Sequence, residues 1–503
     1  MDPVIKGRCE IWCIFVAACW MFVFGTANYG PKSNPLQNPE AHMNVSQIIS
    51  YWGYPSEVYD VVTEDGFILG VYRIPYGREH PKKTAQRPVF YLQHGLFTSA
   101  GIWVANPPYT SLAFTLADSG YDVWMGNSRG TIWSQKHIHY SPDSLEFWAF
   151  SFDEMAKYDL VATLNFILNK TSQENLYFVG HDQGATIAFA AFSTNPKLAQ
   201  KIKMFFALAP VVSVRHSKGP LKTLISTPPF LFKIIFGGRE LFPKTAFSQF
   251  LSNQVCSRRG FDHLCTDFLF HVYGYDRENI NMSRLDIYLS QSLFGTSVQN
   301  ILHWNQILHS AKFQAYDWGN PAANMAHFNQ VTPPLYNLET MKVITAIWSG
   351  EQDRFASPRD IENLTSKLPK LIYHKKIPYY NHIDFLLGLD TPQEFFYEIL
   401  YLINPNLKRY RPCHFLESGW EAGGLQDWKR GEIWDLLLNR DILISPLILL
   451  GGHGKDCSWA YIPYQQRSLS STQKPDSPHC PGGENSCEEE VTSELVTSRD
   501  AYL

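Results

Sequence analysis

Asn175-Leu176-Tyr177-Phe178-Val179-Gly180-His181-Asp182-Gln183-Gly184-Ala185-Thr186-Ile187-Ala188-Phe189-Ala190-Ala191 decides how this chain is read. The unbroken apolar run Leu176 to Val179 predicts a strand buried on both faces, and the small residues from Ala185 to Ala191 predict a helix packed tightly behind it. Gly180 and Gly184 leave room for a sharp, strained turn between them, which holds residue 182 at the top of a sheet and at a helix N-terminus. The pattern is that of a nucleophile elbow, G-x-S-x-G, with aspartate standing where the serine belongs.

Such an elbow needs an acid and then a histidine further along the chain. Val343-Ile344-Thr345-Ala346-Ile347-Trp348-Ser349 reads as a hydrophobic strand, and Gly350-Glu351-Gln352-Asp353 delivers Asp353 into the loop after it. Leu371-Ile372-Tyr373-His374 begins the next strand, and Tyr380-Asn381-His382-Ile383-Asp384-Phe385 places His382 in the loop that follows. A histidine acting as general base needs an acid to fix its tautomer and steady its imidazolium, and Asp353 supplies that charge relay. Taken singly, Asp353 is a turn cap and His382 one more surface histidine; in this order they complete a triad with Asp182 in the nucleophile position. An oxyanion hole requires backbone N–H groups aimed at a developing negative oxygen. Pro88 to Leu96 reads as a strand ending in His94-Gly95, so the N–H groups of Leu96 and Gln183 are the expected donors.

Several further stretches carry a family resemblance: Tyr51-Trp52-Gly53-Tyr54-Pro55, Leu92-Gln93-His94-Gly95-Leu96, Gly120-Tyr121-Asp122-Val123-Trp124-Met125-Gly126-Asn127-Ser128-Arg129-Gly130, Phe147-Trp148-Ala149-Phe150-Ser151-Phe152-Asp153-Glu154-Met155, Phe313-Gln314-Ala315-Tyr316-Asp317-Trp318-Gly319 and Asn381-His382-Ile383-Asp384-Phe385. From about Asn44 to Asn406 the chain resembles the mammalian acid lipases, the gastric, lysosomal and epidermal enzymes. The resemblance implies an α/β class protein: an α/β-hydrolase fold with a mostly parallel central sheet and an inserted, mainly helical cap. It also implies hydrolysis of neutral lipid esters through serine, aspartate and histidine. Asp353 and His382 match the family positions, whereas Asp182 replaces the serine. Cys256 and Cys265 resemble the family's single disulfide; two free thiols are the alternative.

The expected organisation is a signal peptide over 1–27, a first core part over 28–211, a cap over 212–336, a second core part over 337–406 and a disordered tail over 407–503. Lys6 and Arg8 precede the apolar run Ile11 to Phe24, and Gly25-Thr26-Ala27 offers small residues for cleavage. The run is shorter than the ~20 residues that a membrane span needs, so the mature chain is expected to carry no transmembrane span. Entry to the secretory pathway, toward an extracellular or lysosomal destination, makes the sequons at Asn44, Asn169, Asn281 and Asn363 expected glycosylation sites. Past Asn406 the tail is rich in glycine, serine, proline and charge, with no repeat or metal spacing. A formal net charge of -4 over 503 residues argues against nucleic acid as a partner. No cofactor and no metal is expected. The expected partner is neutral lipid or a lipid–water interface, for which the apolar, proline-rich cap segment Thr227 to Gly237 provides both packing and rim.

Asp182 restricts the chemistry. Serine attacking an ester gives an acyl-enzyme of similar energy, whereas a carboxylate attacking the same carbonyl gives a mixed anhydride, well uphill, after expelling a more basic alkoxide. Its oxygen lies one bond farther from the backbone than a serine hydroxyl, within reach of the oxyanion hole. An ionised Asp182 also holds His382 protonated and makes it a poor base. Impaired acyl transfer is therefore expected. One alternative is a non-catalytic lipid-binding pseudolipase. Another is an aspartate-nucleophile hydrolase acting on alkyl carbons, of epoxide or halide type, with Tyr273, Tyr275 or Tyr288 as leaving-oxygen donor. If serine at 182 does not restore activity, Glu351 and Arg354 beside Asp353 become the suspects, because the family that the chain resembles more often has glycine and an apolar residue there.

Overall fold

Hydrophobic runs between glycine- and polar-rich turns set out the strands, and the computed structural model describes residues 38–78, 86–242, 274, 278–292 and 295–404. The expected signal segment, Cys256, Cys265, Tyr273, Tyr275 and the tail 407–503 lie outside the described residues.

The main sheet is built from β1 (Glu57–Val62), β2 (Phe67–Ile74), β3 (Val89–Gln93), β4 (Asp122–Gly126), β5 (Lys136–His137), β6 (Leu176–His181), β7 (Ile202–Leu208), β10 (Thr345–Gly350) and β11 (Leu371–Ile377). A separate two-stranded ladder joins β8 (Glu240–Leu241) to β9 (Thr296–Ser297). Strand order is β1-β2-β4-β3-β6-β7-β10-β11, with β5 beside β2. From β4 to β11 neighbours run parallel, while β1, β2 and β5 form an antiparallel end. Every residue of β3, β4, β6 and β10 is buried, as the unalternating apolar sequences require for a parallel sheet covered on both faces.

The helices used below are α1 (Val45–Tyr51), α2 (Leu112–Asp118), α3 (Leu160–Thr171), α4 (Gln183–Thr194), α5 (Pro229–Phe236), α6 (Val298–Ser310), α7 (Pro358–Thr365) and α8 (Tyr397–Ile403). Each of α1, α6 and α7 opens on a side-chain cap, from Asn44, Ser297 and Ser357 respectively, which satisfies an N–H that the first turn leaves without a helical partner. Small residues let α4 lie close on β6; Ala185, Ala188 and Ala190 are fully buried there.

Register fixes where the site falls. The chain steps from β3 outward to β4, then crosses back to β6 on the other side of β3, so the strand order reverses there and a crevice opens beyond the carboxyl ends of β3 and β6. Gln93 pairs with Gly180, so residues 94–96 and residue 182 leave the sheet side by side. Gly350 pairs with Ile377, which brings the loops carrying Asp353 and His382 out together. β7 and β10 are adjacent, Thr345 opposite Phe205, and the described residues between them lie away from the main sheet and include α5, the β8–β9 ladder and α6.

Candidate active site

The turn after β6 has the strain that its sequence predicts. Asp182 sits at φ 51° and ψ -122°, a conformation costly for a residue with a Cβ, and α4 starts at Gln183. Hydrogen bonds on both sides hold it: Asp182 N–H donates to the Leu208 carbonyl at 3.1 Å, and its own carbonyl accepts from Ala185 N at 3.0 Å and Thr186 N at 3.2 Å. Gly184 is needed because a Cβ there would lie 2.3 Å from the Gln93 carbonyl oxygen. A Cβ on Gly180 would lie 2.8 Å from Ala185 N.

The Asp182 carboxylate lies against the Leu96 N–H, one of the two expected oxyanion donors. Its Oδ2 accepts from Leu96 N at 2.7 Å. The other oxygen, Oδ1, is 3.2 Å from His382 Nε2, an ion pair rather than a well-aligned hydrogen bond. Asp182 is 3 % exposed and His382 1 %, so water screens neither.

On the far side of the ring, His382 Nδ1 lies 2.8 Å from Asp353 Oδ2. Asp353 Oδ1 accepts from Phe355 N and Ala356 N, both at 2.8 Å, so the relay carboxylate is fully engaged and fixed in orientation. Glu351 and Arg354 are exposed on either side of it and leave that geometry intact. Burial alone would depress the pKa of His382; Asp353 first and Asp182 second outweigh it and lift it to about 10. Burial pushes the Asp182 pKa up, but the close contact and charge of His382 prevail and hold it below the ordinary carboxylate value. The ring is flanked by Asp182 on one side and Asp353 on the other, an arrangement that favours its protonated form.

Two other histidines line the site without joining it. His94 Nδ1–H donates to the Gly95 carbonyl at 2.8 Å and its Nε2 accepts from Ser128 N at 3.0 Å, which fixes one neutral tautomer. His181 Nε2–H donates to the His382 carbonyl at 3.0 Å. Burial pushes both down to about 4. Tyr288 is buried with its hydroxyl committed to Asn106 Oδ1 rather than turned to Asp182.

The pentapeptide gave no sign of what the Gln183 side chain does. Its Oε1 accepts from Asn300 Nδ2 and Trp304 Nε1, both at 2.9 Å, so the first residue of α4 is fastened to α6. Sequence spacing within α6 puts Asn300 and Trp304 on one face, but nothing in one chain says which residue that face meets. At α5 the apolar segment divides cleanly: Phe232 is buried, while Phe230 is 69 % and Ile234 74 % exposed. Among the sequons, Asn169 and Asn363 are exposed; Asn44 and Asn281 are partly buried, and their Oδ1 atoms accept from Gln47 N and Ser283 N. Among the described residues, no helix is long and apolar enough to cross a membrane, and no group of three His, Cys, Asp or Glu is placed to hold a metal.

Comparison with known proteins places these features in a lineage. The α/β hydrolase fold family matches residues 88–389, and the partial α/β-hydrolase lipase region matches residues 45–107. Human lipase member K is 56% identical over 398 residues, covering 79% of this chain and 100% of that protein. Bovine (Bos taurus) gastric triacylglycerol lipase is 54% identical over 398 residues, with the same coverage of 79% and 100%. Human lipase member J is 54% identical over 366 residues, covering 73% of this chain and 100% of that protein.

Proposed function

From its membership of the mammalian acid lipase family, whose function is hydrolysis of lipid esters, we propose that this chain engages neutral lipid at a lipid–water interface but transfers acyl groups poorly. The observation that carries the proposal is the position of the Asp182 carboxylate, with Oδ2 2.7 Å from Leu96 N. A hole filled by a fixed anion cannot stabilise a second negative oxygen on the substrate, and electrostatic stabilisation there is usually the largest single contribution to such catalysis. His382, protonated between two carboxylates, has no free lone pair with which to take a proton. The mixed anhydride that aspartate would form adds a third obstacle. In this reading Asp353 and His382 keep the family's charge-relay and base positions, Leu96 and Gln183 keep the oxyanion donors, and the exposed face of α5 supplies the apolar rim.

The proposal includes passage through the secretory pathway to an extracellular or lysosomal destination, with glycans at Asn44, Asn169, Asn281 and Asn363 and a Cys256–Cys265 disulfide. Cleavage after residue 27 and a cap over 212–336 belong to the same reading.

The test is hydrolysis of a short, soluble acyl ester and of a long-chain triglyceride by the full chain, Asp182→Ser and Asp182→Ala. Loss of the catalytic serine costs about a millionfold in a hydrolase of comparable mechanism, with residual catalysis of 10³–10⁴ from the remaining site. The parent is expected near background, and Asp182→Ser to exceed it by at least ~10³-fold. Substantial parental turnover that Asp182→Ala abolishes would reverse the conclusion.

A further inference from the structure

Gln183, and Thr98 and Ser99 just beyond Leu96, are held by residues 291–292 and by α6. On the elbow side, Gln183 is buried with Oε1 accepting from Asn300 Nδ2 and Trp304 Nε1 at 2.9 Å each, and Nε2 directed at Met155 Sδ at 3.6 Å. Asn300 and Trp304 are fully buried. Asn300 cannot turn away, since its Oδ1 accepts from Phe152 N at 2.9 Å and its Nδ2 also reaches Thr296 Oγ1 at 3.1 Å. On the Leu96 side, Thr98 forms an antiparallel bridge with Ser292, and Ser99 Oγ donates to the Gln291 carbonyl at 3.3 Å.

We propose that Asn300 and Trp304 are positioning residues for the oxyanion hole: acting through the Gln183 side chain, they fix the direction of its backbone N–H and make α6 a stationary wall of the active site. The physical need is local. Residue 182 is held at a φ of 51°, and the peptide linking it to residue 183 carries the donor. The N–H of a first helical residue has no helical acceptor of its own; its peptide is held from the carbonyl side, where Asp182 O accepts from Ala185 N and Thr186 N, and its remaining freedom is limited by the side chain that follows. Two hydrogen bonds on the adjoining side chain supply that restraint, and loss of either donor weakens the hold on a buried acceptor. An oxyanion donor contributes only when it is aimed at the place where charge develops, so a small swing of this peptide costs rate without costing affinity.

The catalytic half of the inference rests on the reading that serine at 182 restores acyl transfer; the positioning half does not, and the experiment separates the two. In the full chain carrying native Asp182, hydrogen–deuterium exchange is followed in the peptides spanning 182–186 and 94–98 for Trp304→Phe, Asn300→Leu and His309→Ala. His309 lies on the same helix and is exposed. Exchange at 182–186 is expected to quicken about tenfold or more in the first two variants and to stay unchanged in the third. In the Asp182→Ser chain, Trp304→Phe is expected to lower kcat for a soluble ester about tenfold or more with KM within about twofold, and to add little further loss to Gln183→Met, which removes the shared acceptor. Faster exchange in an Asp182→Ser chain that remains inert supports the positioning role and refutes the rescue reading alone. Unchanged exchange in Trp304→Phe, loss that appears in KM rather than kcat, or full additivity with Gln183→Met would overturn the inference; should Asn300→Leu fail to fold, the Trp304→Phe arm still decides.

Discussion

Replacing Asp182 by asparagine keeps the shape at the elbow and removes one of the two charges that flank His382. The lift of His382 from 6.5 to about 10 corresponds to ~5 kcal/mol of preference for the imidazolium, gained against the penalty of burial. Asp353, at 2.8 Å, contributes the larger part and Asp182, at 3.2 Å, the smaller. A Coulomb energy of roughly 5 kcal/mol for unit charges at such a separation, with an effective dielectric constant near 20, bounds the Asp182 share from above. Within that bound, Asp182→Asn should lower the proton affinity of His382 by on the order of tenfold or more and, with Asp353 in place, still leave it above the ordinary histidine value. Long-range proton–nitrogen correlation on histidine-labelled protein, recorded from pH 5 to 11, reads this directly. The sign for stability follows: a base whose folded pKa is raised contributes stability fully present below 6.5 and lost as pH rises through about 10. The stability difference between parent and Asp182→Asn should therefore narrow between neutral and strongly alkaline pH. A parental His382 that is neutral at pH 7, or one whose titration ignores the substitution, would refute the ion-triad account and with it the argument that no base is available.

Asp153 is largely shielded, with Oδ1 accepting from the Tyr336 hydroxyl and Oδ2 from Tyr316 N at 2.6 Å, and desolvation lifts its pKa to about 7. Because the folded state then binds a proton more tightly than the unfolded, this group's contribution falls as pH climbs from 3.8 to about 7; Asp153→Asn should shrink the difference in urea-unfolding free energy between pH 5 and pH 8 by a few kcal/mol, on the order of 2–4. Phe230→Ser and Ile234→Ser on α5 should each weaken binding to phospholipid-coated triglyceride droplets by ~2 kcal/mol, roughly thirtyfold, measured by flotation, with no change in melting temperature. Gly184→Ala places a Cβ 2.3 Å from a backbone oxygen that cannot yield, and should destabilise the chain by ~3 kcal/mol or more in a denaturant titration.

The parallel sheet, the elbow and the approach of Asp182, Asp353 and His382 were legible because each depends on local pattern or chain order: an apolar run of strand length, paired glycines, and an acid and a histidine each following a strand. Gly184 illustrates why, since its space requirement comes from the strand beside it, and only glycine meets that at any neighbour. The position of the Asp182 carboxylate was legible only as a reach argument, one bond beyond serine; the structure settles it at Leu96 N. The grip of Asn300 and Trp304 on Gln183 was not legible, since it joins residues 117 and 121 positions apart and the sequence carries no rule for which polar face of α6 meets which buried amide. The division of α5 into a buried Phe232 and exposed Phe230 and Ile234 was likewise hidden, because an apolar segment reads alike whether its partner is core or solvent.

Aspartate at 182 changes what the same scaffold is suited to hold. A serine at this elbow leaves the two N–H groups of the hole facing an empty place until substrate arrives, a preorganised but unsatisfied arrangement of the kind that costs stability and supports catalysis. The carboxylate accepts from Leu96 N and pairs with the imidazolium at once. That gain is opposed by the desolvation of two carboxylates and an imidazolium, and a buried ion array of this sort is held together more strongly than it stabilises the fold. Removing one member should therefore be more disruptive than exchanging it for a neutral isostere. On this argument Asp182→Ala, which leaves His382 with one partner and the hole empty, is expected to lower stability by more than Asp182→Asn at pH 7, and Asp353→Ala by more than either, since it deprives His382 of its nearer charge and leaves Phe355 N and Ala356 N without an acceptor. Equal melting temperatures for the three variants would mean that the array carries no net interaction, and that aspartate at 182 is merely tolerated by the scaffold.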